Sequence, residues 1–493
     1  MGREMIKFLR SRPKGVRMFV GRNGYLDDLS ALWRKSTSSL VACRGRRRIG
    51  KSTLIEQFAE KTSDAFFSFE GLPPRKGMRN RDQLDNFGMN LARQTNSPRL
   101  VLENWHDAFF WLNKAIDDGK RTVILLDEIS WMGAYNLDFP GHLKRAWDKL
   151  FHKHDRLVMV ICGSVSAWIK RNILDNTGFA GRFSRDYILP ELPLSVCPAF
   201  WGPVAETVSS REMLDMLSVT GGVPRYLEEI DPALSTDENI RRLFFTPQGK
   251  LFKEFDDMFS AVFGDAAMTK KAILKALSSG PQSGAELSAS LGLANTGHFA
   301  EHLRSLAEGG FIAADTGLNP ETGKCARIDR YRLRDNYTRF YMRCVEPRKN
   351  EISIGGYRFA SVEQLPGWNA IMGLAFENLV VNNWTELLPL IGVGNAIVES
   401  AAPYRRYSSE SGKGVQIDLL IQTPRTVYVV EIKRKNRIGQ EVEEEVEQKI
   451  KRLKVRRGVS VRPVLVYDGE LDPQLTGSGY FAALVDAARL LGR

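Results

Sequence analysis

The sequence predicts an α/β fold, in which a parallel sheet near the N-terminus is followed by helical segments and then by a second α/β region. Three short apolar runs, at 39–43, 122–126 and 157–161, are separated by stretches with helical periodicity. Parallel strands that are buried on both faces have such runs, and helices connect them. Strand signals fade after about residue 192 and return within 366–493.

The bulk composition is that of a globular chain. Hydrophobic residues make up 43% and charged residues 26% of the 493 residues, which excludes a disordered protein. At about 100–200 residues per domain, about three or four domains are expected. No apolar run reaches the roughly 18–20 residues that span a bilayer, and the first residues lack the apolar core of a secretory signal. We therefore expect a cytoplasmic protein with no membrane segment.

The formal net charge is +12. Such an excess attracts polyanions over a long range, so DNA is the expected partner. A merely basic surface without a nucleic-acid partner is the alternative.

The changes of pattern divide the chain into six segments. They are a basic N-terminal arm at 1–17, a sheet-containing core at 18–192, a helical lid at 193–265, a segment of three helices and a β-hairpin at 266–345, a linker at 346–365, and the second α/β region at 366–493. Three short helices followed by a two-stranded wing predict a winged helix-turn-helix in the fourth segment.

A phosphate-binding loop, or P-loop, is predicted by Gly45-x-x-x-x-Gly50-Lys51-Ser52, which follows an apolar strand and opens a helix. In this motif the glycines let backbone N–H groups turn toward phosphates, the lysine reaches the β and γ phosphates, and the serine hydroxyl binds Mg²⁺. ATP and Mg²⁺ are the expected cofactors. The expected ATP contacts of the loop are Gly45, Arg46, Arg47, Arg48, Ile49, Gly50, Lys51, Ser52 and Thr53.

Further candidates follow the next apolar runs. Asp127 is expected to hold Mg²⁺ and Glu128 to polarise the attacking water, although an acid pair is also common at a solvated strand end. Ser164 ends the third run, where a hydroxyl would contact the γ-phosphate or the lytic water. Arg182 is a candidate arginine finger, acting in cis or from a neighbouring copy, and a plain surface arginine is the alternative.

The predicted winged helix has two possible roles. Its third helix, at about 296–308, would enter a DNA major groove, although the basic face of this helix is weak. The wing is more basic, with Lys324, Arg327, Arg330, Arg332 and Arg334. In the other possible role, the winged helix packs against the sheet-containing core as a structural arm.

A group of acids is predicted in the second α/β region. Asp418 and Glu431 fall on successive strands of a hairpin, and Lys433 shares the face of Glu431 because side chains two apart on a strand point the same way. Two carboxylates and a lysine can bind Mg²⁺ and orient a water for phosphodiester hydrolysis. Glu377, on an apolar helix upstream, would complete the site. The spacing alone is also frequent in charged sequences.

The order of five segments resembles that of the archaeal-type ATPase family, a member of the STAND branch of AAA+-related P-loop proteins. The segments are Phe19-Val-Gly21-Arg22, the P-loop, Leu126-Asp-Glu, Cys162-Gly-Ser and Gly221-Gly-Val-Pro224. The resemblance implies that Gly21 and Arg22 lie near the adenine, that Arg225 senses nucleotide, and that a homo-oligomer forms through the ATPase domain. It also makes the winged helix a signalling arm in many members.

The last region resembles the PD-(D/E)XK restriction-endonuclease-like fold, with Ile417 in place of the proline. That resemblance implies a catalytic set of Glu377, Asp418, Glu431 and Lys433, with Asp418 and Glu431 as metal ligands. Two functions stay open. One is an ATP-driven switch or motor that directs a metal-dependent nuclease-like domain onto DNA. The other is a STAND-type regulatory ATPase whose C-terminal domain only binds a partner and does not cleave.

Overall fold

The structure is a computed structural model and describes residues 19–35, 37–164, 166–263, 266–325, 330–406 and 414–493. The predicted basic arm and Arg327 of the predicted wing lie outside the described residues.

The first sheet has five parallel strands in the order β2-β3-β4-β1-β5, which confirms the predicted α/β core. Its strands are β1 Ser39–Arg44, β2 Ala65–Glu70, β3 Thr122–Asp127, β4 Leu157–Gly163 and β5 Phe183–Ile188. Its helices are α1 Asn23–Ala31, α2 Lys51–Thr62, α3 Asn80–Thr95, α4 Trp105–Lys114, α5 Ile129–Met132, α6 Phe139–Lys149 and α7 Ser166–Ile169.

Strand β3 shows why the strands of this sheet appear in the sequence as continuous runs of apolar residues. Ile124 and Leu126 face one buried core, whereas Val123 and Leu125 face a second core on the other side. Successive side chains of a strand point to opposite faces, so a sheet covered by helices on both sides needs apolar residues at every position. The carboxyl ends of β1, β3 and β4 therefore meet at one edge, where the predicted site residues follow.

Helices dominate the middle of the chain. They are α8 Ser210–Thr220, α9 Pro224–Leu227, α10 Thr236–Phe244, α11 Lys250–Phe263, α12 Ala267–Leu277, α13 Gly284–Ser290, α14 Gly297–Glu308, α15 Asn336–Phe340 and α16 Lys349–Ser353. Strands β6 Ile312–Ala314 and β7 Tyr331–Leu333 form an antiparallel pair after α14.

Residues 346–365, predicted as a linker, contain α16 and pack against the helical core. Ile352, Val362 and Leu365 are buried there. Only these three of the twenty residues are buried, so the sequence shows no sustained apolar stripe at these positions.

The second sheet is mixed and has the order β12-β11-β10-β9-β8. Its elements are α17 Trp368–Asn382, α18 Trp384–Leu390, β8 Ser400–Arg406, β9 Val415–Gln422, β10 Thr426–Ile438, α19 Glu441–Arg452, β11 Ser460–Leu471, α20 Pro473–Gly477 and β12 Ala483–Asp486. Strands β8, β9 and β10 pair antiparallel, whereas β10, β11 and β12 pair parallel. One apolar core extends from Leu192 through the helical segments to Leu491. Within the described ranges, no helix has both the length and the apolar character needed to cross a membrane.

Candidate nucleotide site and C-terminal acidic centre

A cavity of about 490 Å³ opens at the carboxyl edge of the first sheet. The predicted contacts that line it are Arg22, Arg47, Arg48, Ile49, Gly50, Lys51, Ser52, Thr53, Asp127 and Glu128. Arg225, which the family resemblance assigns to nucleotide sensing, lines it as well. The structure thus brings together residues that lie up to 203 positions apart in the sequence, from Arg22 to Arg225.

The backbone of the loop depends on its glycines. Gly45 has a φ of 147°, and a Cβ there would lie 2.7 Å from the carbonyl oxygen of Leu189. Gly50 has a φ of 87° and leads directly into α2. The Lys51 Nζ donates to the carbonyl oxygens of Gly45 and Arg46, each at 3.1 Å. The first N–H groups of a helix have no partner within it, so the start of α2 presents donors suited to a phosphate.

Oxygen donors suited to Mg²⁺ lie beside the loop. The Ser52 hydroxyl donates to Asp127 Oδ2, and Asp127 Oδ1 accepts a hydrogen bond from the Glu128 N–H at 2.9 Å. Mg²⁺ prefers hard oxygen ligands, usually one or two carboxylates with water and phosphate oxygens. The hydroxyl and carboxylate therefore fit the predicted ion in chemistry and in proximity.

Glu128 is held by Ser164. Its Oε2 accepts hydrogen bonds from the Ser164 N–H at 3.2 Å and from the Ser164 hydroxyl at 2.9 Å. Glu128 also has a φ of 46°, a left-handed conformation that residues other than glycine rarely adopt. Ser164 does not itself line the cavity, and in this structure its side chain contacts the proposed water-orienting acid, so its contact with the γ-phosphate or the lytic water stays a prediction.

A third acid at this edge, Glu70, was not identified from the sequence. Its Cα pairs with that of Asp127 across β2 and β3, and its side chain lines the cavity. Burial raises the pKa of Glu70, and the charges of Asp127 and Glu128 raise it further. Its position at the end of the run Ala65–Glu70 is the signal that would have found it.

Several predicted contacts do not line the cavity: Gly21, Gly45, Arg46, Ser164 and Arg182. The Arg182 guanidinium instead binds Asp148 on α6, at 2.7 and 2.9 Å. Its finger role within one chain is therefore not supported by its position, and a role across a neighbouring copy stays a prediction. Arg46 is turned away from the cavity because an ion pair with Asp335, at 2.7 Å, holds its side chain.

We expect Glu128→Gln to keep ATP binding and to lower turnover by about a hundredfold or more, since an amide cannot act as the base that orients and activates water. Glutamine keeps the size of the side chain and can still accept from Ser164. Equilibrium binding of a fluorescent ATP analogue and steady-state phosphate release measure the two effects separately. Loss of binding in this variant would contradict the assigned role of Glu128.

The C-terminal candidates also converge. Continuing the β9–β10 register past Val430 and Leu419 places Glu431 opposite Asp418, and the Ile432 N–H donates to Asp418 Oδ2 at 2.9 Å. Lys433 Nζ lies 2.7 Å from Glu431 Oε1. Asp418 and Glu431 are both buried.

A second lysine, Lys449 on α19, completes this cluster. Its Nζ lies 2.8 and 2.6 Å from the two carboxylate oxygens of Glu431. Glu445, four residues earlier on the helix, contacts both Lys433 and Lys449, at 2.9 and 3.0 Å. Charged helices of this kind usually present a solvated face, so the sequence alone does not place Lys449 and Glu445 against Glu431.

The carboxylates form one electrostatic group. Burial raises the pKa of Asp418 to about 6, and the nearby charge of Glu377 contributes to that rise. Burial also raises the pKa values of Glu377 and Glu431. The oxygen donors of Glu377, Asp418 and Glu431 suit Mg²⁺ chemically. However, the described residues contain no group of three or more acidic, histidine or cysteine side chains arranged to hold a metal ion, and lysines contact both oxygens of Glu431.

The first sheet, the loop after β1 and the Asp–Glu pair after β3 together have the arrangement expected of a P-loop nucleotide-binding domain. No protein-family model matches the chain. An uncharacterized protein of Methanocaldococcus jannaschii is 24% identical over 374 residues, which are 75% of this chain and 78% of the relative. An uncharacterized ATP-binding protein of the same organism is 41% identical over 46 residues, 9% of this chain and 78% of the relative.

The solved structures that are similar to this chain include the following two. The Walker-type ATPase of Pyrococcus abyssi has a TM-score of 0.46 and 14% identity, covering 68% of this chain and 99% of its own. The ORC2 protein of Aeropyrum pernix, in its ADPNP–ADP complexes, has a TM-score of 0.43 and 15% identity, covering 71% and 98%.

Proposed function

We propose that this protein is an ATP-hydrolysing P-loop switch whose nucleotide site controls a nuclease-like C-terminal domain that acts on DNA. The observation that carries the proposal is that two arginines of the phosphate-binding loop are bonded to residues outside the ATPase core. Arg46 forms an ion pair with Asp335, and Arg48 forms one with Glu254. A change in the conformation of the loop would therefore alter contacts with the segment before α15 and with α11.

In the nucleotide site, Lys51 would stabilise the charge of the transferred phosphoryl group, and Glu128 would orient the attacking water. Ser52 and Asp127 would hold Mg²⁺, which supplies positive charge to the β and γ phosphates. The contact with Ser164 fixes the Glu128 carboxylate, which favours a defined direction for the water it orients.

The first link runs from the loop to the C-terminal region. Arg46 and Asp335 have only 5% and 0% of their side chains exposed, and the Arg46 guanidinium also lies over the ring of Tyr226. Asp335 immediately precedes α15, whose first residue, Asn336, donates to the Ala375 carbonyl oxygen at 3.0 Å. Ala375 lies on α17, the helix that carries Glu377. The Arg46–Asp335 ion pair, the Asn336–Ala375 hydrogen bond and helix α17 therefore join the P-loop to the acidic centre.

The second link runs to the lid. Arg48 lines the cavity and also binds Glu254 on α11 through two hydrogen bonds, at 2.8 and 3.0 Å. The φ of Arg48 is 71°, in the left-handed region that costs free energy for a residue other than glycine. The ion pair with Glu254 helps to offset that cost. A phosphate in the cavity would compete with Glu254 for the guanidinium.

A STAND-type regulator whose C-terminal domain only binds a partner is the second candidate. It is favoured by the pairing of Glu431 with Lys433 and Lys449, because this arrangement neutralises the carboxylate without a metal ion. A domain that retains these acidic residues but does not cleave DNA would have the same cluster of carboxylates and lysines.

We expect Asp335→Asn to disconnect the two regions and to lower the free energy of unfolding by about 3 kcal/mol, because it leaves the buried Arg46 charge without its main partner. In the unchanged protein, an ATP analogue should alter amide hydrogen exchange in α17, and in the variant this response should be lost. Hydrogen exchange with and without the analogue measures it.

Glu301→Gln is the matched control, since it breaks an exposed ion pair with Arg171 and should cost less than about 1 kcal/mol. A response of α17 that is the same in Asp335→Asn as in the unchanged protein would contradict the proposed link.

A further inference from the structure

A cleft of about 190 Å³ separates the segment after β6 from the edge of the second sheet. Residues 315–319, Arg330 and Arg332 line one side. Residues 403–406 of β8, the edge strand, line the other side. Glu377 lines the same cleft, so the cleft leads to the acidic centre.

Direct contacts fix the two walls at one end. The Leu318 N–H donates to Ser400 Oγ at 3.0 Å, and Gln422 Nε2 donates to the Leu318 carbonyl oxygen at 2.6 Å. A Cβ at Gly317 would lie 3.3 Å from both Ala402 Cβ and Ser400 Oγ, so only glycine fits there without displacing a neighbour. These contacts therefore hold the two walls of the cleft together at this end.

The lining is rich in arginine. Four arginines stand against two carboxylates, Asp315 and Glu377, which leaves an excess of two positive charges. Three of the four arginines have acceptors. Arg330 pairs with Glu286 at 2.9 Å, Arg332 with Asp315 at 2.8 Å, and Arg406 donates to the Arg452 carbonyl oxygen at 2.7 Å.

Arg405 differs from the other three. Over the part of the chain that the structure describes, it has neither a hydrogen bond nor an ion pair. Its charge nevertheless acts on the cleft, because it opposes the rise that burial causes in the pKa of Glu377. A half-buried guanidinium without an acceptor is suited to an incoming anion, and guanidinium groups bind phosphates in a bidentate manner.

We propose that this cleft binds the sugar–phosphate backbone of DNA, with Arg405 on a phosphate, and leads the backbone to Glu377. The proposal rests on the nuclease-like function above. The excess of positive charge along the cleft is suited to the negatively charged backbone of DNA.

The test is binding of a fluorescent single-stranded oligonucleotide, followed by anisotropy in the presence of EDTA so that no cleavage occurs. Arg405→Ala is expected to weaken binding about fivefold or more. It should also reduce the slope of log affinity against log salt by roughly 0.7, the value for one phosphate contact with a single strand. Arg405→Lys, which keeps the charge, should restore most of the slope.

Arg462→Ala is the control, because it removes the same charge from an exposed position of β11 outside the cleft. Unchanged affinity and slope in Arg405→Ala, or an equal loss in Arg462→Ala, would each overturn the proposal. ATP hydrolysis, measured with Mg²⁺, should be the same in both variants and reports that they are folded. Wild-type protein that binds the oligonucleotide through Arg405 in EDTA, but does not cleave it once Mg²⁺ replaces the EDTA, would contradict the nuclease chemistry and leave the cleft as a binding site.

Discussion

Lys51→Ala is expected to lower steady-state ATP hydrolysis by at least about a hundredfold. The ammonium group supplies positive charge where negative charge is redistributed during phosphoryl transfer, and removing one such preorganised group typically costs about 10²–10³ in rate. In the structure this group lies within 3.1 Å of the loop carbonyls that surround the predicted phosphate position. Phosphate release under saturating ATP measures the effect.

Lys61→Ala is the matched control, because Lys61 lies in the last turn of the same helix and is exposed. It should leave turnover unchanged. Turnover in Lys51→Ala equal to that of the unchanged protein would remove the ATPase assignment, since no other lysine among the described residues lines this cavity.

Asp418→Asn and Lys433→Ala are each expected to abolish the nicking of plasmid DNA in Mg²⁺ or Mn²⁺, while ATP hydrolysis stays intact. Asparagine keeps the acceptor for the Ile432 N–H but removes the charge needed to hold a divalent cation. Lys433 lies beside Glu431 and would place a positive charge at the scissile phosphate. Plasmid conversion with and without ATP, for wild type and both variants, measures the activity.

Lys435→Ala provides the control for this site. Lys435 lies on the same strand but is exposed, and its nearest carboxylate, on Glu441, is 3.9 Å away. Nicking that persists in Asp418→Asn and Lys433→Ala would point to another site. No nicking by the wild-type protein in any nucleotide state would count against the nuclease and favour the regulatory ATPase.

Much of the nucleotide site was predictable from the sequence because its signals are local. The glycines, Lys51 and Ser52 lie within eight consecutive residues, and Asp127 and Glu128 directly follow a buried strand. A parallel sheet brings the carboxyl ends of its strands to one edge, so the strand assignments alone predicted that these residues meet. The antiparallel pairing of Asp418 and Glu431 followed in the same way from two adjacent strands.

Other features were decided only by the tertiary structure. Helix α19 places Lys449 on Glu431, although its charged run looks like a solvated surface. Ser164 contacts Glu128 and not the cavity. Arg46 was expected at the nucleotide but pairs with Asp335, 289 residues away. Sequence by itself determined the contacts that a strand, a turn or a helix start enforces. Contacts between distant segments follow from how whole elements pack, and they leave no regular spacing in the chain.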